Sequence, residues 1–255
     1  MTKPSYEIEL STPSQEYALC WQTAGKHLST KGDGAINWLK ADLTPPFLEH
    51  LSFRLGNQLF YIRLVDVDDH AQMPGNPTGL MSVAKGCKGH ACLMPLKNEG
   101  DEWRVVGDDW GLISADTQHP INPLELISNG EIEMTDWELQ DFAVQVVRNH
   151  IKDELDGEIM SSQSNPSVYP SIWFVGTSGP EWVAVRMKTY PNQKPAYDCD
   201  LERVATGCSH MSKIGNVADV TFFNADQRYE PSSPILPLFR GHGASLKFDG
   251  LRGVS

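Results

Sequence analysis

The chain has 255 residues, with 33 acidic against 21 basic side chains, a formal charge of −12 and 40% hydrophobic residues. That balance fits a folded core rather than a disordered or fibrous chain. It opposes non-specific nucleic-acid binding, which rests on phosphate neutralisation, without excluding a local basic groove. No apolar run approaches the ~20 residues that cross a bilayer, and five cysteines, odd and sparse, do not make a disulfide framework.

The N-terminal half is mixed. Tyr6-Glu7-Ile8-Glu9-Leu10 alternates and reads as a strand. Pro45-Pro46 opens a helical stretch through Phe47, Leu48, Leu51 and Leu55, which Gly56-Asn57 closes. Residues 58–67, rich in aromatic and branched side chains, read as a strand. A loop over 70–79 and a short helix over 80–84 follow. Residues 102–106 form a strand, Asp108-Asp109 a turn, and 114–123 a loop with two prolines.

The C-terminal half is more legible. Thr135-Asp136-Trp137-Glu138 has the form of a capping box, in which Glu138 reaches back to the capping threonine. Leu139, Phe142, Ala143, Val146, Val147 and His150 then recur at helical spacing, and Gly157 is a natural stop. Residues 158–160 begin a strand and 161–167 a loop. Residues 170–175 form an apolar strand of the buried kind, 176–180 turn the chain, and 181–188 return as a strand. A helix capped by Asp198 or Asp200 covers 200–211, with Leu201, Val204, Ala205 and Cys208 on one face; 217–223 is a further strand. The tail carries Pro231, Pro234 and Pro237, then Arg240-Gly241-His242-Gly243.

From residue 134 to 224 the order is helix, strand, strand, strand, helix, strand. This resembles the core of the PD-(D/E)XK, or restriction endonuclease-like, superfamily. The resemblance implies an α/β (α+β) fold, with a restriction endonuclease-like mixed-sheet core over 131–255; the mixed elements before it read as an N-terminal α/β subdomain over 1–130. In that family a Pro-Asp pair starts the second core strand and an acid-x-Lys triplet lies on the third. The two acids hold Mg²⁺ and the lysine assists water or the phosphate. Here those positions read Pro170-Ser171 and Arg186-Met187-Lys188, with fourteen residues between Ser171 and Arg186. Lys188 is kept, and Glu138 lies on the first helix, where some family members carry an extra acid. By the resemblance, Lys188 and Glu138 are the candidate catalytic residues. Mg²⁺ needs hard oxygen ligands. A serine and an arginine do not replace two carboxylates, and Arg186 repels the ion. The expectation is a pseudoenzyme, without catalysis or cofactor at the usual site.

Each candidate has a plainer structural reading beside it. The capping box explains Glu138 without chemistry. Arg186 and Lys188 share a strand face and could bind a phosphate or a partner carboxylate, or could pair with Glu138 or Asp141. Arg240 and His242, flanked by glycine, could approach an anion, or form an ordinary loop. Ser171 lacks the strained turn of a nucleophile. Cys87, His90 and Cys92 have ligand-type side chains, but their spacing matches no standard zinc site; buried thiols are expected. Trp110 could be exposed at an interface.

Three functions follow. The first is a nuclease-like but non-catalytic protein that binds a protein or nucleic-acid partner through Ser171, Arg186, Arg240 and His242. The second is an active metal-dependent nuclease, using Mg²⁺, with carboxylates relocated to Glu138, Asp141 or Glu158. The third is a structural or accessory protein-interaction module. No membrane association is expected. Met1-Thr2-Lys3-Pro4-Ser5 has no apolar centre, which makes the cytoplasm the expected compartment.

Overall fold

A computed structural model describes residues 13–43, 49–71, 73–100, 102–192, 194–228 and 233–254. The chain divides into two compact units, Thr12–Ile132 and Glu133–Ser255, each built on its own mixed sheet. The class is α+β: among the described residues there are five helices, and both sheets combine parallel and antiparallel pairs. None of those helices is long and apolar enough to cross a membrane.

The first unit starts with α1 (Gln15–Gly32), which has no counterpart among the predicted elements. Ser14 caps it, its Oγ accepting the Tyr17 N–H at 3.1 Å. Tyr17, Cys20, Trp21, Ala24 and Leu28 form its buried stripe. The sheet follows: β1 (Asn37–Lys40), β2 (Leu51–Leu55) and β3 (Gln58–Asp66). Here the expected helix through Leu51 and Leu55 is corrected to a strand. Gly56 takes φ 58°, the left-handed conformation a tight turn needs. The hairpin then sets Leu51 opposite Ile62 and Phe53 opposite Phe60, where cross-strand burial outweighs a short helix. The expected strand over 6–10 and the start of that helix at 45–48 lie outside the described residues.

From β3 the chain crosses over through α2 (Pro77–Gly86) to β4 (His90–Glu99), parallel to β3. The short predicted helix is therefore the crossover of a β-α-β unit. Then come β5 (Glu102–Val105), β6 (Leu112–Ser114), β7 (Pro120–Ile121) and a single turn, α3 (Pro123–Leu126). The order across this sheet is β1-β2-β3-β4-β6-β7, with β5 also on β4. Trp110 is buried at 2% exposure in the core with Phe53 and Phe60, which corrects its reading as an exposed interface marker.

The second unit starts with α4 (Asp136–Asp153). Its predicted capping box is complete: Thr135 Oγ1 accepts from Glu138 N–H, and Glu138 Oε2 accepts from Thr135 N–H. An antiparallel meander follows, β8 (Glu158–Ser162), β9 (Ile172–Gly176) and β10 (Gly179–Thr189). Helix α5 (Leu201–Cys208), capped by Asp200, leads to β11 (Gly215–Asn224), parallel to β10. The tail supplies β12 (Ala244–Phe248) and β13 (Arg252–Gly253), which pair in succession along the outer edge of β11.

Alternation along β10 builds two cores. Val183, Val185 and Met187 pack with Leu139, Val144, Val147 and Ile151 of α4. Trp182 and Ala184 pack on the other face with Cys208, Val204 and Leu201 of α5. Each fully buried aliphatic side chain contributes about 1.5–3 kcal/mol, so the α4 stripe anchors its helix.

Candidate functional site

Arg186 and Lys188 flank the inward-facing Met187, so both leave β10 on the α5 face. The parallel register sets Asp219 of β11 directly opposite Arg186. Arg186 donates from Nε and Nη2 to the two Asp219 carboxylate oxygens, 2.8 Å each. Lys188 Nζ lies 3.3 Å from Oδ2. Arg252, carried in by β13 opposite Val217, donates from Nη2 to the same oxygen at 2.6 Å. One carboxylate thus gathers three cations, leaving the cluster a net charge of +2.

Arg186, Lys188 and Asp219 side chains are 19%, 17% and 21% exposed, whereas Arg252 is 61% exposed. The cluster therefore has a covered base and an open rim. Burial works against ionising Asp219, but the Arg186 hydrogen bonds and charge, and then Lys188, outweigh it and hold the carboxyl below its usual value of 3.8. The hydrogen bond to Asp219 raises the Arg186 pKa. Tyr169 and Cys199, hydrogen-bonded to each other, stand beside Arg186. Burial pushes the Cys199 thiol up to about 11, so it is not a nucleophile near neutral pH.

The rim extends in register. Thr221 pairs with Lys188 on one side and with Lys247 of β12 on the other, so all three share a face. Lys247 is 69% exposed and lies 3.3 Å from Asp249.

The other sequence-selected residues lie elsewhere. Glu138 forms a bidentate pair with Arg240, Nε to Oε1 and Nη2 to Oε2 at 2.9 Å each, with the side chains 5% and 1% exposed. Strand pairing of Glu133 with Phe239 brings Arg240 there. Glu138, expected as a catalytic acid, and Arg240, expected as an anion-binding residue, thus meet in a buried ion pair, and Glu138 Oε2 also accepts the Thr135 N–H. Helix α4, which carries Glu138, packs on the sheet face opposite to that of Arg186 and Lys188. His242 is exposed, with its ring edge-on to Phe239 at 5.7 Å. Ser171, expected as a binding residue, is 1% exposed, and its Oγ accepts the Val185 N–H at 3.3 Å, which ties the start of β9 to β10. Asp141 accepts from Gln145 at 2.8 Å, and Glu158 lies on β8 at the far edge of the sheet.

The carboxylate that does reach Lys188 is Asp219, which has no place in the acid-x-Lys motif. Its signal in the sequence is a lone acid inside the apolar run Val217-Ala218-Asp219-Val220, where a charge must be paired. No group of three or more His, Cys, Asp or Glu able to hold a metal occurs among the described residues. Cys87 and Cys92 are buried, and burial pushes the Cys92 thiol up to about 12. His90 instead meets Gln58 Oε1 at 3.1 Å and stacks on Phe60.

Residues 137–254 match a family model described as a domain of unknown function, DUF8840, a stretch that runs from α4 through β13 and contains the whole cation cluster. No curated protein and no solved structure matches the chain.

Proposed function

We propose that the 133–255 unit is a non-catalytic, nuclease-like module that binds a phosphodiester backbone along the rim of Arg186, Lys188 and Arg252. One observation carries this reading: three cations converge on the single carboxylate of Asp219. Asp219 fixes the Arg186 guanidinium through two parallel hydrogen bonds, which leaves its remaining N–H donors, and those of Arg252, for a ligand. Lys247 extends the cationic line to a third strand. A phosphate that meets such a face trades counterions for fixed donors, the main source of backbone affinity.

The strand arrangement supports the superfamily resemblance: an antiparallel meander β8-β9-β10, then β11 parallel to β10 after a helix. At the family's acid-x-Lys position the local charge is inverted. A cation entering this site meets net positive charge and a carboxylate already shared among three partners, so the donor set suits an anion and not Mg²⁺.

The test is fluorescence anisotropy of labelled single-stranded and duplex oligonucleotides at two salt concentrations. The wild type should bind with log K falling as log salt rises. Lys188→Glu with Arg252→Glu should weaken binding at least ~10-fold and flatten the slope by about 0.7–0.9 per lost contact. No binding at low salt, or binding indifferent to the double change, refutes the reading. Binding of polyglutamate in preference to both oligonucleotides moves the partner to an acidic protein.

A further inference from the structure

We infer that the 12–132 unit carries a second ligand site, independent of the phosphodiester reading: a groove for a small hydroxylated phosphate ester. The groove lies between α2 and the ends of β4 and β6 and has a volume of about 590 Å³, within the ~300–1,000 Å³ typical of small-molecule sites.

Its origin is a mismatch of side-chain size. Leu80 and Ala84 seat α2 on the sheet and are buried. Beside them lie Gly89, just before β4, where Leu59 and Tyr61 occupy the place of a side chain, and Ala91 on β4, in register with Tyr61. The short side chain of Ala91 leaves the space next to the helix unfilled. Thr78, Ser82 and Lys85, at helical spacing, present one face of α2 to that space, while Ser114 and Asp116 close it from the β6 side.

The chemistry of the lining is mixed in a specific way. Lys85 and Asp116 both line the groove, yet neither has an ion-pair partner among the described residues, and they do not reach each other. An ammonium and a carboxylate kept apart across a groove suit a ligand with an anionic end and hydroxyl groups. Lys85 takes the phosphate as a point charge. Asp116 accepts from the hydroxyls, and Thr78, Ser82 and Ser114 can donate or accept. His90 presents an imidazole whose orientation is set by Gln58 and by stacking on Phe60 at 5.0 Å.

The probes are glycerol 3-phosphate, glycerol and inorganic phosphate, titrated calorimetrically into the full chain. Glycerol 3-phosphate should saturate with a dissociation constant of about 1 mM or tighter, and glycerol should not bind. Amide NMR shifts should fall in 78–91 and 114–121. Lys85→Glu, at an exposed position, should lower the affinity at least ~10-fold. Asp116→Asn should weaken glycerol 3-phosphate but not inorganic phosphate. Lys188→Glu with Arg252→Glu, in the other unit, should change nothing, which separates this site from the one above. The inference is overturned by absence of saturation, by indifference to Lys85→Glu, by loss in the Lys188/Arg252 variant, or by equal affinity for inorganic phosphate.

Discussion

The 133–255 unit contains two arginine–carboxylate pairs of nearly the same geometry and opposite surroundings. Glu138 and Arg240 meet at 2.9 Å with almost no exposure, one carboxylate to one guanidinium, and Glu138 also closes the α4 cap. Asp219 and Arg186 meet at 2.8 Å, but Lys188 and Arg252 join them and the rim is open. The first pair balances its charges and shuts out water, which makes it a lock between α4 and the 237–240 segment. The second leaves cationic donors at the surface. The identity of the paired residues therefore does not separate structure from site; their stoichiometry and exposure do.

The largest effect is expected at the lock. Arg240→Ala leaves the Glu138 carboxylate buried without its partner and should cost about 3–5 kcal/mol, read by urea denaturation. Glu138→Leu with Arg240→Met removes both charges at similar volume and should recover most of that loss. Oligonucleotide binding should stay unchanged in the folded double variant. A double variant as unstable as the single one would break the comparison, because the pair would then matter for more than its charge balance.

Asp219→Asn should separate stability from binding. The neutral amide loses charge-assisted bonds to three cations, at a cost of about 1–3 kcal/mol. It also raises the net charge of the rim, so oligonucleotide affinity should rise at low salt. The pH dependence has a definite sign. The folded-state pKa of Asp219 lies below its usual 3.8, so its contribution is fully present above that value and fades as pH falls through the lowered pKa. The gap between wild type and Asp219→Asn in denaturation curves should be constant from neutral pH to about 5 and narrow below 3.8. A gap that widens on acidification contradicts the ion-pair account.

This contrast was only half legible in the sequence. The α4 cap, the β9–β10 hairpin and α5 could be read because each depends on residues close in the chain: Thr135 and Glu138, the turn at 176–180, Asp200 before an apolar stripe. The Glu138–Arg240 and Arg186–Asp219 pairs join residues 102 and 33 positions apart, and no local pattern encodes such partners. Arg186 and Lys188 could be placed on one face by strand alternation, yet the third strand that neutralises one of them could not. The same limit explains the first unit. Leu51 and Leu55 fit a helix by spacing alone, and only pairing with β3 turns them into a strand. Helix α1 has a weak sequence pattern because Gly25, Ser29 and Thr30 dilute a stripe whose burial depends on the sheet.

The smallest expected change in stability falls on the residue most useful for the comparison. Arg252 is 61% exposed and bonds to a carboxylate that Arg186 and Lys188 already hold. Arg252→Ala should therefore cost no more than about 0–1 kcal/mol, the range of surface pairs. Its guanidinium is also the most accessible donor of the rim, so oligonucleotide affinity should fall several-fold and the salt slope should decrease by about 0.7–0.9. A residue that matters little to folding but measurably to binding is what an open cluster predicts and a lock forbids. Should Arg252→Ala instead destabilise the unit as strongly as Asp219→Asn while leaving binding intact, β13 would be a strut, and the Asp219 cluster would join Glu138 and Arg240 as structure.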